Sequence, residues 1–104
     1  MVKLICTDVD GTLLNKQREV DDFTVKVFAQ LDKSIQIIPA SSRMPKALWH
    51  IQKTLNIEHM PLICYNGALV LSSGKVFTAE KVIASITIPA KTVFGLIALA
   101  SLHN

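Results

Sequence analysis

Three short apolar runs, each stopped by a polar cluster, constrain this chain more than any other feature. They span residues 2–7, 35–40 and 62–65, and they end at Asp8-Val9-Asp10-Gly11, Ser41-Ser42-Arg43 and Asn66-Gly67. Runs of this length bounded by turn residues read as strands buried on both faces. Between them the spacing of apolar residues changes to three and four. Val20, Phe23, Val27, Phe28 and Leu31 predict one amphipathic helix, with Asp21 or Asp22 near its positive N-terminal end. Met44, Leu48, Ile51 and Leu55 predict the inner face of a second helix, with Pro45 in its first turn. Buried strands alternating with such helices predict an α/β fold with a parallel sheet and right-handed crossovers. Ligands bind beyond the carboxyl ends of the strands in such sheets, so all three polar clusters converge on one edge.

After Gly67 the pattern changes. Residues 68–71 and 75–78 flank Ser72-Ser73-Gly74, which predicts a hairpin. Residues 83–88 read as extended, and Pro89 starts a helix towards Leu102 that Gly95 weakens. The core pattern stops near residues 78–84, which divides the chain into residues 1–80 and residues 81–104.

Composition narrows the classes of function. A chain of 104 residues supports one modest core, and with half its residues apolar and 18% charged it is not disordered. The net charge of +3 comes from scattered lysines and arginines, which argues against a nucleic-acid surface. Cys6 and Cys64 sit inside apolar runs with no C-x-x-C pattern, as expected of a reduced, cytoplasmic protein. The apolar stretch 93–102 is shorter than the roughly 20 residues that span a bilayer, so no membrane segment is expected. His59 and His103 have no ligand-spaced neighbours, and Trp49 and His50 read as surface packing.

Two carboxylates, Asp8 and Asp10, follow directly on an apolar strand. Like charges this close repel, so the arrangement is costly unless a cation or phosphate chemistry uses it. A carboxylate can attack phosphorus to form an aspartyl-phosphate, and a second can protonate the leaving oxygen and then activate water. Mg²⁺ prefers oxygen ligands and is held by one or two carboxylates together with phosphate oxygens. Gly11 lets backbone amides approach a phosphate, and Thr12 offers a hydroxyl beside it.

Asp8-Val9-Asp10-Gly11-Thr12-Leu13-Leu14 resembles the first motif of the haloacid dehalogenase-like superfamily of phosphatases. Ala40-Ser41-Ser42-Arg43 is similar to the Ala-Thr-Gly-Arg segment of its Cof-type branch, and Tyr65-Asn66-Gly67-Ala68 to that branch's Asn-Gly-Ala. The resemblance implies a Rossmann-like core, here its N-terminal half, followed by the start of an inserted cap domain. It implies that Asp8 is the nucleophile and a Mg²⁺ ligand. Asp10 would be the general acid/base, with its backbone carbonyl also on the metal. Gly11, Thr12, Ser41, Ser42 and Arg43 would serve the phosphate, Arg43 by steadying the loop or reaching substrate, and Asn66 and Gly67 would line the site. The implied substrate is a small phosphorylated metabolite. Two positions depart from the pattern: Ser42 replaces a glycine, and Ser34 stands where a glycine often ends the first helix.

The superfamily also uses a later lysine and a later acidic motif. Beyond Gly67 this chain has one carboxylate, Glu80, while Lys75, Lys81 and Lys91 fall in the hairpin and the following segment. The expectation is an incomplete, inactive part of a Mg²⁺-dependent phosphohydrolase, prone to self-association through its sheet edge. A phosphomutase of the same superfamily and a non-catalytic Mg²⁺- or phosphate-binding fragment are the alternatives. A receiver-like signalling module would need an aspartate where the third strand ends in Asn66-Gly67.

Overall fold

The computed structural model describes residues 1–75 and 78–103. Five strands form one sheet whose spatial order follows the chain: β1 (Leu4–Asp8), β2 (Gln36–Ala40), β3 (Leu62–Cys64), β4 (Leu69–Leu71) and β5 (Val82–Ser85). The first three are parallel, as predicted, with Cys6 opposite Ile38 and Ala40 opposite Ile63. β4 and β5 add to them antiparallel, so the whole sheet is mixed.

The expected hairpin is replaced by a different pairing. Residues 76 and 77 of its second arm lie outside the described residues, and β4 pairs instead with β3 and β5. A tight turn at Tyr65–Gly67 reverses the chain after β3. It needs left-handed backbone at Tyr65, Asn66 and Gly67 (φ 51°, 55° and 95°). The extended segment expected at 83–88 is β5 and the residues that follow it.

α1 (Asp22–Gln30) and α2 (Pro45–Thr54) are the crossovers β1–β2 and β2–β3. With the strands laid down in chain order, right-handed crossovers carry both helices to the same face of the sheet. Burial agrees: Ile37, Pro39, Leu62 and Cys64 on that face are buried, whereas Leu4 and Cys6 on the other are exposed and Ile38 and Ile63 half-buried. One face thus carries the core and the other is largely open, so the strands are not buried on both faces as expected, because both crossover helices cover the same side.

Asp21 caps α1, accepting from the Thr24 amide at 2.8 Å. The apolar arc of α1 is wider than its contact with the sheet. Val25 and Phe28 pack towards the core with Val20 and Leu31, while Phe23 is 75% exposed and Val27 also faces outward, against expectation. Leu31 ends this helix in an extended conformation, and Asp32 Oδ1 then accepts from the Ser34 amide at 2.8 Å, so Ser34 needs no glycine. α2 buries Leu48 and Ile51 as predicted and Leu55 just beyond it, but Met44 is exposed. The residue before a proline is driven out of the helical region, and Met44 (φ −71°, ψ 159°) is accordingly an extended cap.

Gln52 is buried on α2, a position that apolar periodicity passes over. Its amide donates to the carbonyls of Met60 (3.0 Å) and Pro61 (3.3 Å), tying α2 to the segment that enters β3. Its Oε1 lies against Gly74, where any Cβ would collide with it. α3 (Ala90–Leu102) forms as predicted but buries no side chain. Among the described residues, no helix is long and apolar enough to cross a membrane.

The two cysteines differ in surroundings. Cys6 is exposed, while burial pushes the Cys64 thiol up to about 11. Disulfide exchange needs the thiolate, so a thiol reagent at neutral pH titrates one equivalent promptly and the second only as the chain opens. Two equally fast equivalents would contradict the placement of Cys64.

Candidate active site

The loop after β1 is built on Val9. Its side chain is fully buried, and its carbonyl accepts from the amides of Leu13 and Leu14, both at 3.0 Å. Alternation along the strand then sends Asp8 and Asp10 outward on either side of this anchor. Gly11 makes the turn with φ 76°; nothing crowds a Cβ there, so backbone conformation rather than space calls for glycine. The Thr12 hydroxyl reaches back to Asp8 Oδ2 at 3.4 Å.

The loop after β2 is held by its own hydroxyl. Ser41 is buried, and its Oγ accepts from the Arg43 amide at 3.1 Å, which leaves the hydroxyl proton free to be donated. The Ser41 carbonyl accepts from the Asn66 amide (3.0 Å), and the Arg43 carbonyl accepts from the Tyr65 amide (3.2 Å). The second and third strand ends are therefore tied together through backbone. Ser42 is not left-handed, so a serine in place of glycine carries no backbone strain.

Arg43 ties the second strand end to the first. Its Nε donates to Asp10 Oδ2 at 2.9 Å and its Nη2 to Oδ1 at 2.6 Å, a bidentate pair of groups 33 residues apart. That hydrogen bonding holds the Asp10 carboxyl below its ordinary value, with the charges of Arg43 and Arg18 acting in the same direction. Asp10 as it stands is thus a firmly ionised base, and acting as an acid requires Arg43 to let go. Replacing Arg43 with glutamine removes the cation and moves the Asp10 titration up towards 3.8, readable from its side-chain carbon resonance. By linkage, a lowered carboxyl contributes stability above its unfolded value and loses it as pH falls through the folded one. The variant should therefore lose less stability than the parent on acidification below about pH 4.

Asp8, Asp10, Ser41, Ser42, Asn66 and Gly67 line one depression of about 490 Å³, with Ala40 and Ile63 as its apolar wall. Six of the nine predicted site residues are brought together there. Gly11 and Thr12 lie in the turn behind Asp8, and Arg43 sits at the rim on Asp10, so these three are not lining residues. No lysine lines the depression, and among the described residues no three His, Cys, Asp or Glu side chains gather into a metal cluster.

Arg18 is the neighbour that sequence reasoning missed. Its Nη2 lies 3.7 Å from Asp10 Oδ1. The signal that points to it is Asn15, a residue that closes loops on its own side chain.

Comparison with known proteins shows the family and the fold. The haloacid dehalogenase-like hydrolase family matches residues 5–104. A Buchnera aphidicola protein named "Putative phosphatase" is 32% identical over 105 residues, covering 100% of this chain and 37% of its own length. A solved structure from Thermotoga maritima superposes with a TM-score of 0.82 at 28% identity, covering 100% of this chain and 37% of that one. A Bacteroides thetaiotaomicron structure described among the phosphatases of the haloalkanoate superfamily gives 0.80 at 26%, covering 99% and 36%. The chain thus spans little more than a third of the proteins it resembles.

Proposed function

The chain belongs to the haloacid dehalogenase-like hydrolase family, and from that premise we propose that it is of the Cof type and carries the nucleophile half of a Mg²⁺-dependent phosphohydrolase for small phosphorylated metabolites. The observation that supports this reading best is the single depression that holds both carboxylates of the first loop beside Ser41 and Asn66.

Asp8 is the nucleophile. Its carboxylate lines the depression and, among the described residues, accepts only from the distant Thr12 hydroxyl, so an oxygen is available to attack phosphorus and form an aspartyl-phosphate. Asp10, once Arg43 has released it and it has taken a proton from water, gives that proton to the leaving oxygen, and then takes one back from the water that hydrolyses the aspartyl-phosphate. Ser41 donates its hydroxyl to the transferring phosphoryl group. The donor set is all oxygen, with two carboxylates and no imidazole or thiolate lining the depression, which fits Mg²⁺. Asp8, together with the Asp10 backbone carbonyl, would hold the metal, which supplies charge neutralisation to the phosphate.

A reading without catalysis is favoured by one observation: no lysine lines the depression. The 104-residue chain would then bind Mg²⁺ and phosphate without turnover. Amide shifts in the isolated chain test the shared part of both readings. Mg²⁺ followed by inorganic phosphate should move Asp8, Ser41, Ser42, Asn66 and Gly67 together, and phosphate should leave α3 unmoved. Shifts that miss this set would remove the phosphate site.

Self-association through the unpaired edge of β1 and the bare sheet face beside it is part of the same proposal. Val2 and Leu4 are 61% and 54% exposed there. Sedimentation velocity should show concentration-dependent growth that Leu4→Lys suppresses, because a lysine on an open edge opposes pairing. A monomer across the accessible range would contradict it.

A further inference from the structure

Asp10 is met by more positive charge than one carboxylate needs. Arg43 holds both of its oxygens, and Arg18 waits 3.7 Å from Oδ1 with its side chain 76% exposed. Arg18 is not there by accident of a loose loop. Asn15 Oδ1 accepts from the amides of Gln17 and Glu19, both at 3.0 Å, and the Asn15 and Glu19 backbones close the loop at 2.9 Å. Arg18 sits at the tip of that loop with φ 65°, a left-handed conformation that an arginine adopts only when its surroundings impose it. Across the depression, meanwhile, two carboxylates face the space a phosphate would enter, and no cation lines it. Arg43 is the cation at its rim, and a guanidinium fork fits phosphate as well as carboxylate.

We propose that Arg18 is a positioning residue of this site, a second guanidinium that takes over Asp10 when an entering phosphate draws Arg43 away. The proposal rests on the phosphate reading above. In the exchange, the two hydrogen bonds from Arg43 pass from Asp10 to phosphate oxygens, and Arg18 closes the gap to the freed carboxylate. Asp10 thereby trades a tight bidentate partner for an exposed single one. It stays in place beside the entering phosphate.

The test uses the 104-residue chain with Mg²⁺ and inorganic phosphate, following the arginine Nε–H signals together with the amides of Ser41 and Asn66. Saturation with phosphate should shift the Arg43 Nε–H signal and bring that of Arg18 into slower exchange with water. Arg18→Gln should weaken phosphate binding about three- to fivefold, the range of one exposed ion pair. Its thermal midpoint should stay unchanged, and Arg18→Lys should restore most of the affinity. An unmoved Arg43 signal at saturation, or Arg18→Gln binding as tightly as the parent, would overturn the exchange while leaving the phosphate site intact. If phosphate moves neither Ser41 nor Asn66, the phosphate reading falls and this inference falls with it.

Discussion

Leu62→Ala lowers the unfolding free energy by about 3 kcal/mol, within the range for deleting a buried leucine side chain, and removes more than half of the chain's reserve. Leu62 is fully buried on β3, between β2 and β4, so neither neighbour can relax far into the space it leaves. The reserve it draws on is small. Buried apolar residues run from Val9 to Leu71, and neither α1 nor α3 contributes one. A typical domain has about 5–15 kcal/mol of net stability, and a core on one face of a short sheet belongs at the bottom of that range. Phe23→Ala is the control: at 75% exposure it should shift stability by no more than about 0.5 kcal/mol. Urea titrations followed by circular dichroism measure both. Equal midpoint shifts in the two variants would contradict a core confined to the helix-covered face.

The second large effect is the absence of turnover. The isolated chain with Mg²⁺ should hydrolyse a phosphomonoester at the same rate as its Asp8→Asn variant, namely the background rate. Phosphoryl transfer is catalysed largely by charges arranged around the transferring group. Each missing electrostatic donor costs roughly 10²–10³ in rate. Here the depression presents two carboxylates, two serines and Asn66, with no lysine and no third acid among its lining residues. Arg43, the cation that holds both Asp10 oxygens at its rim, is engaged there rather than free for a phosphate. Measured Mg²⁺-dependent turnover that disappears in Asp8→Asn would overturn the expectation, and would mean that these residues suffice.

Much of this was readable along the chain because it is local. The strands announce themselves by continuous apolar runs, and α2 by the spacing of Leu48, Ile51 and Leu55. The departures have physical causes. Phe23 and Val27 belong to an apolar arc that the sheet only half covers, so periodicity could not say which half turns inward. Met44 obeys the proline that follows it rather than its own hydrophobicity. Gln52 is polar yet buried because two backbone carbonyls receive its amide, and a hydrophobic pattern has no term for that.

By itself the sequence determined where the strands end and which chemistry-bearing residues stand there. Asp8, Asp10, Ser41 and Asn66 follow apolar runs, and a parallel α/β order brings such ends to one edge. Tertiary structure alone decided how those residues are wired to one another. The Arg43–Asp10 pair joins groups 33 residues apart, Arg18 is aimed by a loop that Asn15 closes, and both crossover helices fall on one face of the sheet. The reason is range. Burial patterns and turn signals are set within a few residues, whereas a guanidinium finds its carboxylate only after the sheet has brought their loops together.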